Sequence, residues 1–218
     1  MKTKLYIVRH AETVGNIEKR LTGRKDYELT KNGINSTEKL AKRLSDIKFD
    51  VMYSSTSNRT AKTIEPLAKL NNLKIIQLED LCEMYFGDYD GWKWEDVNKL
   101  NPQIKQRQNE INEISGIPNQ ESMEDASKRE YDCIKRICEK NAGKNILICS
   151  HGVVIEGFLR LITGIPFNDE REKYCQHNVA LNILTYENGK FEIDLLADTS
   201  FLKDNFLDKK SCPTMEDR

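Results

Sequence analysis

The chain is short of the features that most readily announce a class. No apolar run approaches the roughly 20 residues needed to cross a bilayer, and the segment "MKTKLYIV" is too short for a signal peptide. Neither sign of charge dominates: 34 Lys and Arg face 35 Asp and Glu, for a formal net charge of -1. That balance argues against a general nucleic-acid binder, whose basic footprint would show. Charge runs such as Glu170 to Lys173 read as solvated faces. The six cysteines show no C-x-x-C spacing and no zinc-like cluster, so mostly reduced thiols in a cytosolic chain are expected. There is no internal repeat, no low-complexity stretch and no Gly/Ser linker. No Gly-Lys-Ser/Thr marks a Walker A loop, and no G-x-G-x-x-G follows a strand.

What is present is an alternation of short apolar runs with helical patterns. Lys4 to Val8, Phe49 to Tyr53, Leu73 to Leu78 and Asn145 to Cys149 read as strands. Leu29 to Leu44 (with Ile34, Leu40, Ala41 and Leu44 inward), Ser57 to Leu70, a helix from the N-cap Ser122 to about Asn141, and Val153 to Ile162 read as helices. Val179 to Tyr186 and Lys190 to Leu196 suggest a hairpin around "ENG". This order predicts an α/β fold of three layers, α/β/α, on a mostly parallel sheet. A single domain over 1–202 is expected, with a small helical lid inserted at about 92–121, interrupted by Pro102, and a polar tail over 203–218.

In such a sheet ligands bind beyond the carboxyl ends of the strands. Arg9 and His10 follow the first strand, Arg59 the second, Glu83 the third and His151 the fourth. The chain has three histidines, and two of them sit in matching strand-end contexts. Any one of these residues alone reads as structural: a hydrogen-bonded histidine, a surface arginine, a solvated carboxylate. Together they supply guanidinium forks for phosphate, an imidazole nucleophile or clamp, and a carboxyl proton donor. No carboxylate falls at ligand spacing beside His10, His151 or His177, so no metal is expected, and His177 reads as structural.

The motifs "RHAET" (Arg9 to Thr13), Asn16, Arg20 and "TG" (Thr22, Gly23), then "YSSTSNRTAKT", "LCEMYFGDYDG", "ESMEDASKR" and "SHG" (Ser150 to Gly152), occur in that order. In this the sequence resembles the histidine phosphatases, the superfamily of cofactor-dependent phosphoglycerate mutases. The resemblance spans about Lys4 to Leu202 and implies the phosphoglycerate mutase-like fold. It also implies a phosphohistidine on His10, with Arg9, Arg59 and His151 holding the phosphoryl oxygens and Asn16 and the Gly152 backbone adding neutral donors. Glu83 would protonate the leaving oxygen and then take a proton from water. Thr22, Gly23, Tyr85 and Phe86 would border the substrate, with specificity in the lid; Glu121 and Ser122 also lie towards it.

The physics of those roles sets expectations. His10 must be neutral, and Arg9 and Arg59 disfavour a further positive charge beside it. A backbone carbonyl at one ring nitrogen would fix its tautomer. The acid form of Glu83 must survive near neutral pH, with Tyr85 and Phe86 expected to shield it from water. For Phe86, Tyr85, Trp92 and Trp94 taken singly, ordinary packing is the simpler reading.

Three departures matter. Ala11 stands where the family has glycine, which is tolerable unless φ is positive there. Glu156 stands where relatives carry arginine and is expected to place a negative charge at the rim. "EMYFG" lacks the two basic residues of the mutase-like Glu-Arg-His-Tyr-Gly, "HGVVIEG" lacks the mutase Asn, and the lid lacks an adjacent arginine pair. These favour a phosphatase of the broad-specificity or α-ribazole type, acting without metal or cofactor on a small phosphorylated metabolite. The alternatives are a phosphoglycerate mutase and a non-catalytic phosphate-binding protein. "DYDGW" resembles an Asp-x-Asp phosphatase motif but does not follow an apolar strand. No nucleic-acid or membrane partner is expected; a homodimer is compatible with the sequence.

Overall fold

The computed structural model describes residues 1–111, 114–166 and 171–202. The chain runs β1 (Thr3–Arg9), α1 (Val14–Ile17), α2 (Lys31–Arg43), β2 (Val51–Ser54), α3 (Asn58–Asn71), β3 (Ile75–Gln77), α4 (Trp94–Leu100), α5 (Pro102–Ile111), α6 (Met123–Lys140), β4 (Asn145–Ser150), α7 (Gly152–Thr163), α8 (Arg171–Tyr174), β5 (Leu181–Glu187) and β6 (Lys190–Asp198). The six strands form one sheet in the order β3-β2-β4-β1-β5-β6. β3, β2, β4 and β1 are parallel; β5 and β6 add antiparallel at one side.

The central strands are apolar on both faces, and their alternation splits the core in two. Leu5 and Ile7 of β1, with Ile146 and Ile148 of β4, pack with Ile134 and Ile137 of α6 and Ile155 and Phe158 of α7. Tyr6, Val8, Leu147 and Cys149 face the other way, onto Leu40 and Leu44 at α2 and Ile64 and Leu67 of α3. The result is the expected α/β/α sandwich. A third apolar cluster joins the expected lid to the sheet's carboxyl edge: Trp94, Val97 and Ile104 pack with Phe86, Val153 and Val154.

Several expected boundaries move for local reasons. Thr30 accepts from the Gly33 N–H at 2.9 Å, so α2 starts at Lys31 and takes Gly33 inside it. A Cβ at Gly33 would lie 2.2 Å from the Glu12 carbonyl, which only glycine permits. Ile34 points to solvent rather than inward. β3 is an edge strand of three residues, shorter than Leu73 to Leu78, with its side chains largely exposed. Pro102 separates α4 from α5, as its missing N–H requires. Cys82, Cys133, Cys138 and Cys149 are free and buried, whereas Cys175 is disulfide-bonded. The expected tail over 203–218 lies outside the described residues.

Candidate active site

The register of β1 on β4 brings the two strand-end histidines together. Val8 pairs with Cys149 and Arg9 with Ser150, so the next residues, His10 and His151, leave the sheet side by side. The His10 N–H donates to the Ser150 carbonyl at 3.0 Å, and the two imidazole centroids lie 5.3 Å apart. From here β1 leads toward α2 on one face and β4 into α7 on the other, the divergence that opens a crevice in an α/β sheet.

Each imidazole has its tautomer set by its partner. His10 Nδ1 is 2.8 Å from the Ala11 carbonyl, which can only accept. Nδ1 therefore carries the proton and Nε2 keeps its lone pair. His151 Nδ1 is 3.0 Å from Arg59 Nη2, which can only donate. His151 is thus protonated on Nε2, which donates to Ser55 Oγ at 2.8 Å. Burial, first, and then the charges of Arg59 and Arg9 hold His10 well below the usual imidazole range. Burial, Arg59 and His10 do the same for His151. Both rings are neutral at physiological pH, as the two arginines led us to expect for His10. Ala11 is buried with no positive φ, and its N–H donates to Thr63 Oγ1 at 2.8 Å, so the methyl group costs nothing.

Arg9, His10, Arg20, Thr22, Glu83, Phe86 and Gly152 line a narrow cleft of about 20 Å³, the space of one water. Arg9 Nη1 donates to the Gln176 carbonyl at 2.6 Å. Its guanidinium lies beside Gly152, where a Cβ would come within 3.3 Å of Arg9 Nε. Glu83 sits at the N-terminus of α7. Its Oε2 accepts from Val153 N–H at 3.1 Å, and its Oε1 from Met84 N–H at 2.9 Å and Val154 N–H at 3.3 Å. The shielding expected from Tyr85 is not there, because that ring is 38% exposed. Phe86 and Trp94 are buried as packing residues; Trp92 is partly exposed.

Arg59 and His151 stand behind this lining. Arg59 is fully buried, and its Nη1 and Nη2 donate to the Gly23 and Lys25 carbonyls at 2.8 and 2.9 Å, to Asp26 at 3.1 Å and to His151. Gly23 is part of that cradle rather than of the cleft wall. Asn16 Oδ1 is fixed by the Thr13 N–H and hydroxyl, both at 3.0 Å, within the cap of α1, and this orients its amide. Ser122 is the N-cap of α6, as expected, and Glu121 pairs with Arg129 at 2.8 Å while accepting from Tyr85 N–H. Glu156 is not at the rim: it is buried in α7 and paired with Arg160, one turn on, at 3.1 Å. Its charge is neutralised inside the helix layer. Among the described residues no three His, Cys, Asp or Glu side chains gather as a metal site, and no helix is long and apolar enough to cross a membrane.

Sequence reasoning left Ser55, Asp26 and Asp90 without a role and named Arg20 only within a motif. Ser55 directly follows the second strand and was legible there; Asp26, in the loop before α2, was not. Asp90 could be found only from the structure.

The pattern of the histidine phosphatase superfamily (branch 1) matches residues 5–199. The chain belongs to that superfamily. Among relatives of this histidine phosphatase chain, the probable phosphoglycerate mutase GpmB of Yersinia pestis (strain Pestoides F) is 28% identical over 214 residues, covering 94% of this chain and 98% of the relative. Phosphoglycerate mutase-like protein 4 of Arabidopsis thaliana is 28% identical over 205 residues, covering 92% and 87%. Among solved structures, YhfR of Bacillus stearothermophilus superposes with a TM-score of 0.87 at 26% identity, over 92% of this chain and all of that one. The α-ribazole phosphatase of Shigella flexneri shares the fold, with a TM-score of 0.76 at 24% identity over 89% and 96% of the two chains.

Proposed function

We propose that this chain is a phosphomonoester hydrolase that works through a phosphohistidine on His10, without metal, on a small phosphorylated metabolite. The observation that carries this reading is the state of His10. Its ring is neutral, its Nδ1 proton is committed to the Ala11 carbonyl, and it lines the same cleft as Arg9 and Glu83. Nε2 attacks phosphorus, and the bond to the ester oxygen breaks. Glu83 gives its proton to that oxygen. In the second step Glu83 takes a proton from water, the water oxygen bonds to phosphorus, and the P–N bond returns its electrons to Nε2.

Arg9 at the cleft wall takes phosphoryl oxygens, with Arg59 and His151 as the polar floor behind and Gly152 at the α7 N-terminus beside them. Arg9 and Arg20, the two cations that line the cleft, attract an anion. Thr22 and Phe86 border the leaving group, and Trp94, Val97 and Ile104 of the helical insertion pack behind Phe86.

The mutase alternative draws on the names of the relatives. Against it, the cation that lines the cleft besides Arg9, Arg20, is already engaged by Glu18 at 2.5 Å and the Gly91 carbonyl at 2.8 Å, and Leu21, Phe86 and Val153 line the cleft beside it. A mutase must hold a second anionic group there. Phosphate release from a panel of phosphomonoesters in chelator, with 3-phosphoglycerate included and 2-phosphoglycerate followed, separates the readings. Release without metal is expected. Isomerisation without release would make the chain a mutase, and neither activity would favour a binding protein.

A further inference from the structure

Asp90 belongs to the "DYDGW" stretch, which the reaction above leaves unused. It is buried, and its carboxylate grips three consecutive backbone N–H groups: Gly23 on Oδ1 at 2.7 Å, and Arg24 and Lys25 on Oδ2 at 2.9 and 3.0 Å. The same short segment turns its carbonyls the other way. Gly23 and Lys25 accept from Arg59 at 2.8 and 2.9 Å, and Thr22 accepts at 3.4 Å. A strip of peptide is therefore held between a carboxylate on one edge and a guanidinium on the other. Each peptide group is polarised in the sense that strengthens both contacts.

The neighbouring chain explains why a side chain is needed. Residues 19–21 and 91–94 zip together by main-chain bonds, Leu21 N–H to Trp92 O at 2.9 Å and Trp94 N–H to Lys19 O at 2.8 Å. At Gly23 that ladder ends and the Asp90 carboxylate takes over. No Cβ fits there, since one on Gly23 would lie 2.8 Å from Asp90 Oδ1. Beyond the strip, Arg59 reaches His151 Nδ1 at 3.0 Å.

We propose that Asp90 is a positioning residue for phosphoryl transfer: by fixing Gly23 to Lys25 it aims Arg59 at His151 and the cleft. This rests on reading the cleft as the site of phosphoryl transfer. It differs from a packing role in requiring that the effect pass through Arg59.

The test is a double-mutant cycle on the full chain with an aryl phosphate as substrate, D90N alone and in an Arg59→Lys background, with melting temperatures recorded. D90N keeps the shape but turns an amide N–H₂ onto backbone donors. In the wild-type background kcat/KM should fall about 10- to 100-fold, the scale of losing a partner that orients a functional group. The loss should fall on kcat more than on KM. In the Arg59→Lys background the same substitution should cost less than about threefold, because coupled residues are not additive. An unimpaired D90N, or the same loss in both backgrounds, overturns the proposal. If D90N does not fold, Asp90→Glu, which keeps the charge at the wrong reach, takes its place in the cycle. If the wild type releases no phosphate from any ester, the hydrolase reading fails. The cycle is then read from calorimetric binding of inorganic phosphate, where weakening by D90N in both backgrounds alike, or in neither, overturns the role of Asp90.

Discussion

The carboxyl of Glu83 and the backbone N–H of Val153 are 3.1 Å apart, which places the candidate acid at the N-terminus of α7. Its orientation is therefore set by three backbone donors, not by the aromatic residues that follow it in sequence. Glu83→Gln keeps an acceptor for those donors but has no proton to give. It should lower kcat about 10²- to 10⁴-fold for alkyl phosphates, the usual worth of a positioned general acid. The loss in kcat/KM, which reports phosphorylation of His10 and not its later hydrolysis, should be far smaller for an aryl phosphate, whose leaving group departs unprotonated. Steady-state kcat/KM values on the two ester types check this; an equal loss in kcat/KM on both would remove Glu83 from the role of acid.

His10 and His151 are buried and held below the ordinary imidazole range, His10 by burial and then the Arg59 and Arg9 charges. The active form of His10 is the neutral one, so kcat/KM should stay level as pH falls through about 6.5 and decline only at more acid pH. Stability has the same sign. The unfolded chain takes up protons on these rings near pH 6.5 while the folded chain does not, so their contribution is lost as pH falls below that value. A loss of kcat/KM that sets in at or above about pH 6.5 as pH falls would contradict the assignment of His10.

Much of this site was legible in the sequence. An apolar run that stops on Arg9 and His10, and another that stops before His151, mark two strand ends that the β1–β4 register then joins. The helix on each face followed from periodicity. What was hidden depends on contacts between loops, which have no period. Asp26 and Asp90 act on backbone groups dozens of residues away, and Glu83 is held by a helix start that no local pattern links to it. Glu156 was misread because its arginine partner lies inward along the helix, one turn on, and burial rather than spacing makes that pair count.

Glu130 lies on α6, fully buried, and burial, only partly offset by Ser150 and the Arg129 charge, raises it to about 8. It folds protonated, whereas the unfolded chain loses that proton near 4.5. The folded state thus binds the extra proton between these values, and stability drains away as pH rises from about 4.5 to 8. Glu130→Gln cannot ionise. Relative to wild type it should gain on the order of 3–5 kcal/mol between pH 5 and pH 8 in urea unfolding. A constant difference across that range would refute a buried, titrating Glu130.

Gly23 has no room for a side chain: a Cβ would lie 2.6 Å from the Met84 carbonyl and 2.8 Å from Asp90 Oδ1. Gly23→Ala must push the segment carrying Glu83 away from the strip that cradles Arg59. It should cost about 1–3 kcal/mol of stability, as overpacking does, and lower kcat as well. Thermal unfolding together with turnover measures both, and a wild-type kcat in a destabilised variant would detach this contact from catalysis.

The most direct test of the account is to trap the phosphoenzyme. The protein is mixed with excess phosphomonoester in chelator, quenched in alkali, where phosphohistidine survives, and its peptides are sequenced by mass. The account predicts a phosphoryl group on His10 in the wild type, accumulating in Glu83→Gln with an aryl ester and absent in His10→Ala. A phosphoryl group on another residue, or turnover that persists in His10→Ala, would contradict it.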